Sequence, residues 1–263
     1  GREYLGGRLR RKLDKVRYST SCLSLYLAVD MDLRAAGLDS GNYWFYDHSD
    51  LDMIYSQGLG DHALQSERPS AMFLTATTLK DPSKMHGGHH TLEAFAFVSY
   101  APFQKWAGEK SGSRGRDYEA LKARLAQGML AALEQRVPGL RQRVVFCELG
   151  TPLTNADYLN ATVGNLYGID KSRFQVGPGA FPIKTRFDGL YMCGASTLSH
   201  GVAGATATGL AAARKILQCR TADLLKMDGP EIRIYPSEDV TQWPAHLQRR
   251  IARGQRQAEE VGA

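Results

Sequence analysis

Phe187-Asp188-Gly189-Leu190-Tyr191-Met192-Cys193-Gly194-Ala195-Ser196 runs through a short polar turn into Gly201-Val202-Ala203-Gly204-Ala205-Thr206-Ala207-Thr208-Gly209-Leu210-Ala211-Ala212-Ala213-Arg214-Lys215-Ile216-Leu217. It reads as a buried strand, a tight turn and a helix with a small-residue face. Gly201, Gly204, Ala205, Thr208 and Ala212 recur at three and four residues and therefore share one side of that helix. No bulk on that side keeps another backbone or a flat ligand away. The first four N–H groups of a helix lack internal partners and carry partial positive charge, so a helix start at Gly201 suits a group that holds negative charge. The same pattern fits plain helix–sheet packing equally well. A membrane span is disfavoured, because the apolar run is shorter than about 20 residues and ends at Arg214-Lys215.

Working outward, Gly150-Thr151-Pro152-Leu153-Thr154-Asn155 precedes Tyr158-Leu159 and then Gly164-Asn165-Leu166-Tyr167-Gly168. Further upstream stand Leu79-Lys80-Asp81-Pro82-Ser83, Gly87-Gly88-His89-His90-Thr91-Leu92 and Arg116-Asp117-Tyr118. Together with the Gly194–Gly204 stretch, these motifs resemble the FAD-dependent carotenoid desaturase, carotenoid isomerase and retinol saturase family. The resemblance covers roughly residues 17 to 218. It implies that Gly194, Ala195, Ser196, His200, Gly201, Val202, Ala203 and Gly204 contact FAD, and that the helix start lies where a reduced flavin gains negative charge. It also implies that Thr151, Pro152, Thr154, Tyr167 and Gly168 help shape the channel for an apolar polyene, a carotenoid or retinoid. Ala195 stands where many of the wider flavoprotein group have an acidic residue, which puts one polar cofactor contact in doubt.

Family members open with a strand, a Gly-x-Gly-x-x-Gly turn and a helix that hold the FAD pyrophosphate. This chain has no such motif. Gly177-Pro178-Gly179 is the nearest pattern, and Ala180-Phe181-Pro182 after it cannot open a helix. The expectation is thus the C-terminal part of a longer flavoprotein, inactive alone, whose N-terminal FAD-binding half is a partner within the same protein. The expected fold class is α+β: a mixed, mostly antiparallel substrate-domain sheet with flanking helices, plus a strand and helix returning to a Rossmann-like FAD domain. The expected segments are a basic lead-in (1–17), a substrate-binding domain (18–186), a flavin-contacting strand and helix (187–218) and a tail (219–263). The alternative from another class is a non-catalytic, truncated binding module of the same fold. An amine substrate is disfavoured, since no aromatic cage can be placed.

Composition agrees with a globular chain. The 263 residues are 43% hydrophobic and 23% charged, with a net charge of +6 concentrated at the two ends. Basic ends serve anionic lipid or simply stay solvated; no zinc finger or RNA-binding signature points to nucleic acid. Cys22, Cys147, Cys193 and Cys219 lack short pairings, which points to a reducing compartment; the expected localisation is cytoplasmic, with the peripheral membrane contact that a lipid-soluble polyene substrate implies.

Period-2 alternation predicts strands over Tyr18–Asp30, Tyr43–Tyr46, Ala71–Thr77, Thr91–Val98 and Val144–Leu149. A short helix is expected over Leu51–Gly58, and a long amphipathic one over Asp117–Val137, ended by Pro138-Gly139. Ile232–Tyr235 reads as a small strand, and Trp243, Leu247 and Ile251 as one face of a last helix.

Tyr43, Trp44, Phe45, Phe95, Phe97, Tyr100 and Phe103 supply apolar surface for a core, a polyene tunnel or both. His86, His89 and His90 permit a metal by spacing, but the double glycine reads as a turn and no metal is assigned. His200 is either a flavin neighbour or a solvent-facing turn residue. Thr154 or Asn155 also suits capping of the next helical turn, and Tyr167 also suits a core. No nucleophile elbow or triad is present, and no catalytic residue is assigned.

Overall fold

The computed structural model describes residues 2–60, 66–226, 229–237 and 239–261, with side chains as far as Arg253. Its centre is β1 (Ser21–Val29), whose alternation puts Leu23, Leu25, Leu27 and Val29 on one buried face. Four more strands follow: β2 (Asn42–Tyr46), β3 (Ala71–Ala76), β4 (His90–Val98) and β5 (Val144–Gly150). They form one sheet in the order β2-β3-β4-β1-β5, with every neighbour antiparallel. The α+β reading and the five sheet strands hold. The expected mixture of directions is not seen among the described residues.

Register sorts the side chains. Leu25 pairs Ala94 and Leu23 pairs Ala96, so large residues face small ones. Met72, Leu74 and Ala76 continue the same inner face on β3. A long helix covers it. Numbering helices along the chain, these are α1 (Gly7–Asp14), α2 (Leu51–Leu59), α3 (Thr77–Lys80) and α4 (Gly115–Glu134). Then come α5 (Pro152–Leu159), α6 (Gly201–Leu217), α7 (Thr221–Leu224) and α8 (Ala245–Val261). From α4, Tyr118, Leu125, Met129, Leu130 and Leu133 join the sheet's inner face in a single core. Each fully buried aliphatic side chain contributes about 1.5–3 kcal/mol to this packing.

The sequence motifs around α4 and α5 have structural roles. Asp117 accepts hydrogen bonds from Lys105 Nζ (3.2 Å) and Trp106 Nε1 (3.4 Å). The Tyr118 hydroxyl meets Thr151 Oγ1 at 2.7 Å. Arg114, buried just ahead of α4, donates to Asp157 of α5 at 2.6 Å. These contacts clamp α4 to the start of α5.

Three expectations fail. Phe187–Cys193 is not a buried strand: among the described residues it makes only a bridge between Lys184 and Tyr191, and Leu190 and Cys193 are exposed. Among the described residues, the segment has no neighbouring strand to complete a ladder. Ile232–Tyr235 is likewise irregular and exposed, with no pairing partner among the described residues. Tyr18–Thr20 lies outside β1, though Tyr18 bridges Ile169. Trp243 precedes α8 and donates its indole N–H to the Pro236 carbonyl; α8 itself packs near Pro82–Lys84. Among the described residues, no helix is long and apolar enough to cross a membrane.

Candidate functional site

The outer face of the sheet is set by the same alternation. Trp44 pairs Phe73, Phe73 pairs Phe95, and Phe97 pairs Cys22. Their rings touch: Phe73–Phe95 centroids lie 4.7 Å apart, Trp44–Phe73 5.3 Å, Trp44–Phe95 5.4 Å and Phe95–Phe97 5.6 Å. Such pairs add about 0.5–1.5 kcal/mol each beyond area burial. Tyr55 of α2 extends the patch, 5.9 Å from Phe97. α2 lies against the Phe97 end of this surface, and at the other end Trp44 is 43% exposed.

A groove of about 590 Å³ continues from Phe97 and Tyr55. Leu59, Tyr100, Val163 and Tyr167 wall it, with Ser19, Asp170 and Lys171. That volume suits a small organic ligand. A second cavity, between α2, α4 and the sheet, is about 90 Å³ and holds no more than a few waters.

At its far end the groove meets the C-terminal segment. The Tyr167 and His200 rings lie 4.8 Å apart. Gly168 has φ +77°, and a Cβ there would stand 2.6 Å from Ser196 Oγ; only glycine lets the two loops approach. Lys171 Nζ donates to the Ala195 carbonyl at 2.6 Å, and burial pushes that ammonium's pKa down. Burial also pushes the Tyr167 phenol up, with smaller contributions from Cys22 and Tyr55. Residues assigned separately to cofactor (Ala195, Ser196, His200) and to substrate (Tyr167, Gly168) are therefore in contact.

The start of α6 is open. His200 is its N-cap residue but makes no side-chain cap bond. Gly201 has φ +75° with empty space where a Cβ would stand, and Val202 is 89% exposed. The first N–H groups of a helix lack intrahelical partners, so this open start offers a cradle whose residues fit a flat, electron-rich ring. Gly194 (φ +93°) also has open space where a Cβ would stand. Ala203 is exposed. Gly204 is used differently: a Cβ there would meet Ser199 at 2.8 Å, so it seats the preceding loop. Thr208 fastens that loop by accepting from the Gly194 N–H at 2.7 Å while donating to the Ala205 carbonyl at 2.7 Å.

Thr151 and Pro152 are buried and start α5. Thr151 Oγ1 accepts from the Leu153 N–H, and Thr154 Oγ1 accepts from the Thr151 N–H, a reciprocal cap. Neither Thr151, Pro152 nor Thr154 lines the groove. Asn155 instead donates to the Gly164 carbonyl. His86 and His89 flank the Gly87-Gly88 turn as a bridged pair, while His90 Nδ1 meets Thr78 Oγ1 at 2.8 Å.

Sequence reading named Trp44, Phe95, Phe97 and Tyr100 but missed Phe73, Tyr55, Leu59, Val163 and Lys171. Phe73 alternates with Met72 and Leu74, which is a readable outward signal. The others depend on how α2 and the 163–171 loop fold back onto the sheet edge. Tyr43 and Phe45 face inward, and Phe103 is fully buried, so those three belong to the core.

No family model matches the chain. Among curated proteins, it is 26% identical over 215 residues to the all-trans-retinol 13,14-reductase of Danio rerio, covering 80% of this chain and 35% of that protein. It is 26% identical over 231 residues to the enzyme of the same name from Rattus norvegicus, covering 86% and 38%. It is 28% identical over 200 residues to the chloroplastic prolycopene isomerase of Daucus carota, covering 74% and 29%. The chain spans about a third of the length of these curated relatives. At modest identity carried over most of its length, the chain's homologues are thus all-trans-retinol 13,14-reductases and prolycopene isomerases.

Proposed function

We propose that this chain is the substrate-binding and flavin-contacting part of an FAD-dependent oxidoreductase or isomerase that acts on a long apolar polyene, a carotenoid or retinoid. The observation that carries this reading is continuity. One aromatic surface runs from Trp44 through Phe73, Phe95 and Phe97 into the groove, and the groove ends at Tyr167 against His200, beside the open start of α6. The names of the relatives, a retinol reductase and a prolycopene isomerase, support a polyene substrate.

On this reading the outer face holds the polyene by apolar contact and keeps water from it. Tyr167 and His200 orient its reacting end. Gly194, Gly201, Val202 and Ala203 hold the flavin at the helix start, where uncapped N–H groups favour negative charge. The bound flavin supplies the electron or hydride chemistry. Polyenes partition into lipid, so the native protein is expected to meet a bilayer peripherally, through basic and apolar surface.

The test is flavin absorbance of the native protein carrying this chain, with Val202→Glu as its probe. An acidic residue in the first helical turn favours the helix by about 0.3–1 kcal/mol, so the fold is kept. It places a negative charge where the flavin must approach, so flavin content should fall several-fold with Tm unchanged. A native protein without flavin would leave the non-catalytic binding module as the better reading, and equal flavin in the variant would show that this helix start does not touch the flavin.

A further inference from the structure

Four residues between 160 and 168 have left-handed backbone: Asn160 (φ +51°), Val163 (φ +52°), Gly164 (φ +59°) and Gly168 (φ +77°). Asparagine and glycine enter that region readily, whereas a β-branched side chain does so only under strain. Gly164 and Gly168 have a steric reason as well, because a Cβ on either would strike Pro152 or Ser196. Val163 is the exception. Core packing does not account for it, since the residue is 40% exposed and lines the groove.

The surroundings enforce this conformation from both sides. Before Val163, the Ala161 N–H donates to the Asn155 carbonyl at 3.2 Å. After it, the Gly164 N–H donates to the Ala161 carbonyl at 2.8 Å. The Gly164 carbonyl accepts from Asn155 Nδ2 at 3.2 Å and from Ser21 Oγ. A Cβ on Gly164 would stand 2.2 Å from the Pro152 carbonyl oxygen, so the loop is pressed onto the start of α5. Further on, the Leu166 N–H donates to the Thr20 carbonyl and the Tyr167 N–H to Ser19 Oγ, each at 2.9 Å. Pro152 and Asn155 do not line the groove; they hold its wall from behind. Strain maintained in this way is a mark of a side chain whose position matters.

The position is beside the reacting end. Val163 lies four residues before Tyr167, whose ring meets His200 at 4.8 Å, and both residues line the groove. A valine side chain neither donates nor accepts, so what it recognises is apolar shape. We propose that Val163 is a specificity-determining residue: its left-handed backbone carries an apolar branch into the groove, where it seats the ligand's chain against Tyr167 and His200. This rests on the polyene reading above and deepens it by naming the residue that fixes the chain at that end.

The test pairs ligand affinity with stability in the native protein. All-trans-retinol is the probe, read by its fluorescence, and Tm is measured without it. Val163→Asn keeps the size, tolerates the left-handed backbone and removes the apolar surface. It should raise Tm by about 2–4 °C and weaken retinol about five-fold or more. Val163→Gly should weaken retinol equally. Val163→Ile keeps the apolar branch and the strain, so affinity should stay within about two-fold with no gain in Tm. Native affinity in the Asn and Gly variants would overturn the proposal. So would a fall in Tm for Val163→Asn, which would make Val163 a structural residue. If the native protein does not bind retinol, the polyene reading itself falls, and this inference with it.

Discussion

Residues 23–153 supply the whole of the main hydrophobic core, whereas Phe187–Leu217 contributes only Thr197, Thr208 and Ala212 as buried side chains among the described residues. The sheet and α4 are held by interdigitated apolar side chains. The C-terminal arm is fastened within itself by the Gly194 N–H on Thr208, and to the rest of the chain by Lys171 on the Ala195 carbonyl and by the close approach of Ser196 to Gly168. Hydrophobic packing creates a rigid platform; sparse polar fastening leaves a surface of small, exposed residues. An arm of this kind has low intrinsic stability and is suited to completing a site with something else. The platform binds by shape, and the arm binds by what it leaves open.

The strongest way to break this comparison is in the platform. Leu25, fully buried at the centre of β1, should cost about 2–5 kcal/mol as Leu25→Ala, seen as one cooperative loss in denaturant midpoint. A loss under about 1 kcal/mol would mean the core lies elsewhere. Thr208→Val sharpens the other side. It removes the acceptor of the Gly194 N–H and leaves that group unpaired, at about 1–3 kcal/mol. Native-state hydrogen exchange should rise around residues 194–208 while the sheet amides stay protected. Matching loss in the sheet would make arm and platform one cooperative unit.

The smallest effect concerns pH. Burial, partly offset by Asp32, pushes the His90 pKa below its ordinary 6.5. The unfolded chain therefore binds the proton more readily. The contribution is fully present above pH about 6.5 and is lost as pH falls through that value toward the folded pKa. His90→Gln should flatten the decline in platform stability between about pH 7.5 and 5.5, measured by urea midpoints. An unchanged slope would show that His90 does not set it.

The platform was legible in the sequence because its pattern is local. Period-2 runs such as Leu23, Leu25, Leu27 and Val29 declare a face without any knowledge of the partner strand. The heptad-like spacing of Tyr118, Leu125 and Met129 does the same for α4. The arm was less legible. Phe187–Cys193 has the composition of a buried strand, but a strand exists only where a neighbour pairs with it, and composition cannot name the neighbour. The helix start at Gly201 was readable because positive φ and missing side chains demand glycine there. The groove was not, since Tyr55, Val163 and Lys171 converge from three separated segments. Thr151 and Thr154 were assigned to a channel and serve as a helix cap, a role that a Thr-Pro-x-Thr spacing also signals.

The central claim is that the aromatic outer face carries the polyene and leads it to the arm. Photo-cross-linking of the native protein with a diazirine-bearing polyene, followed by peptide mapping, tests it most directly. Labels should fall on Trp44, Phe73, Phe95 and Phe97 from one part of the probe, and on Tyr167 or His200 from another, with competition by the unmodified polyene. Labels confined to other surfaces, or uncompeted labelling spread over the chain, would contradict it.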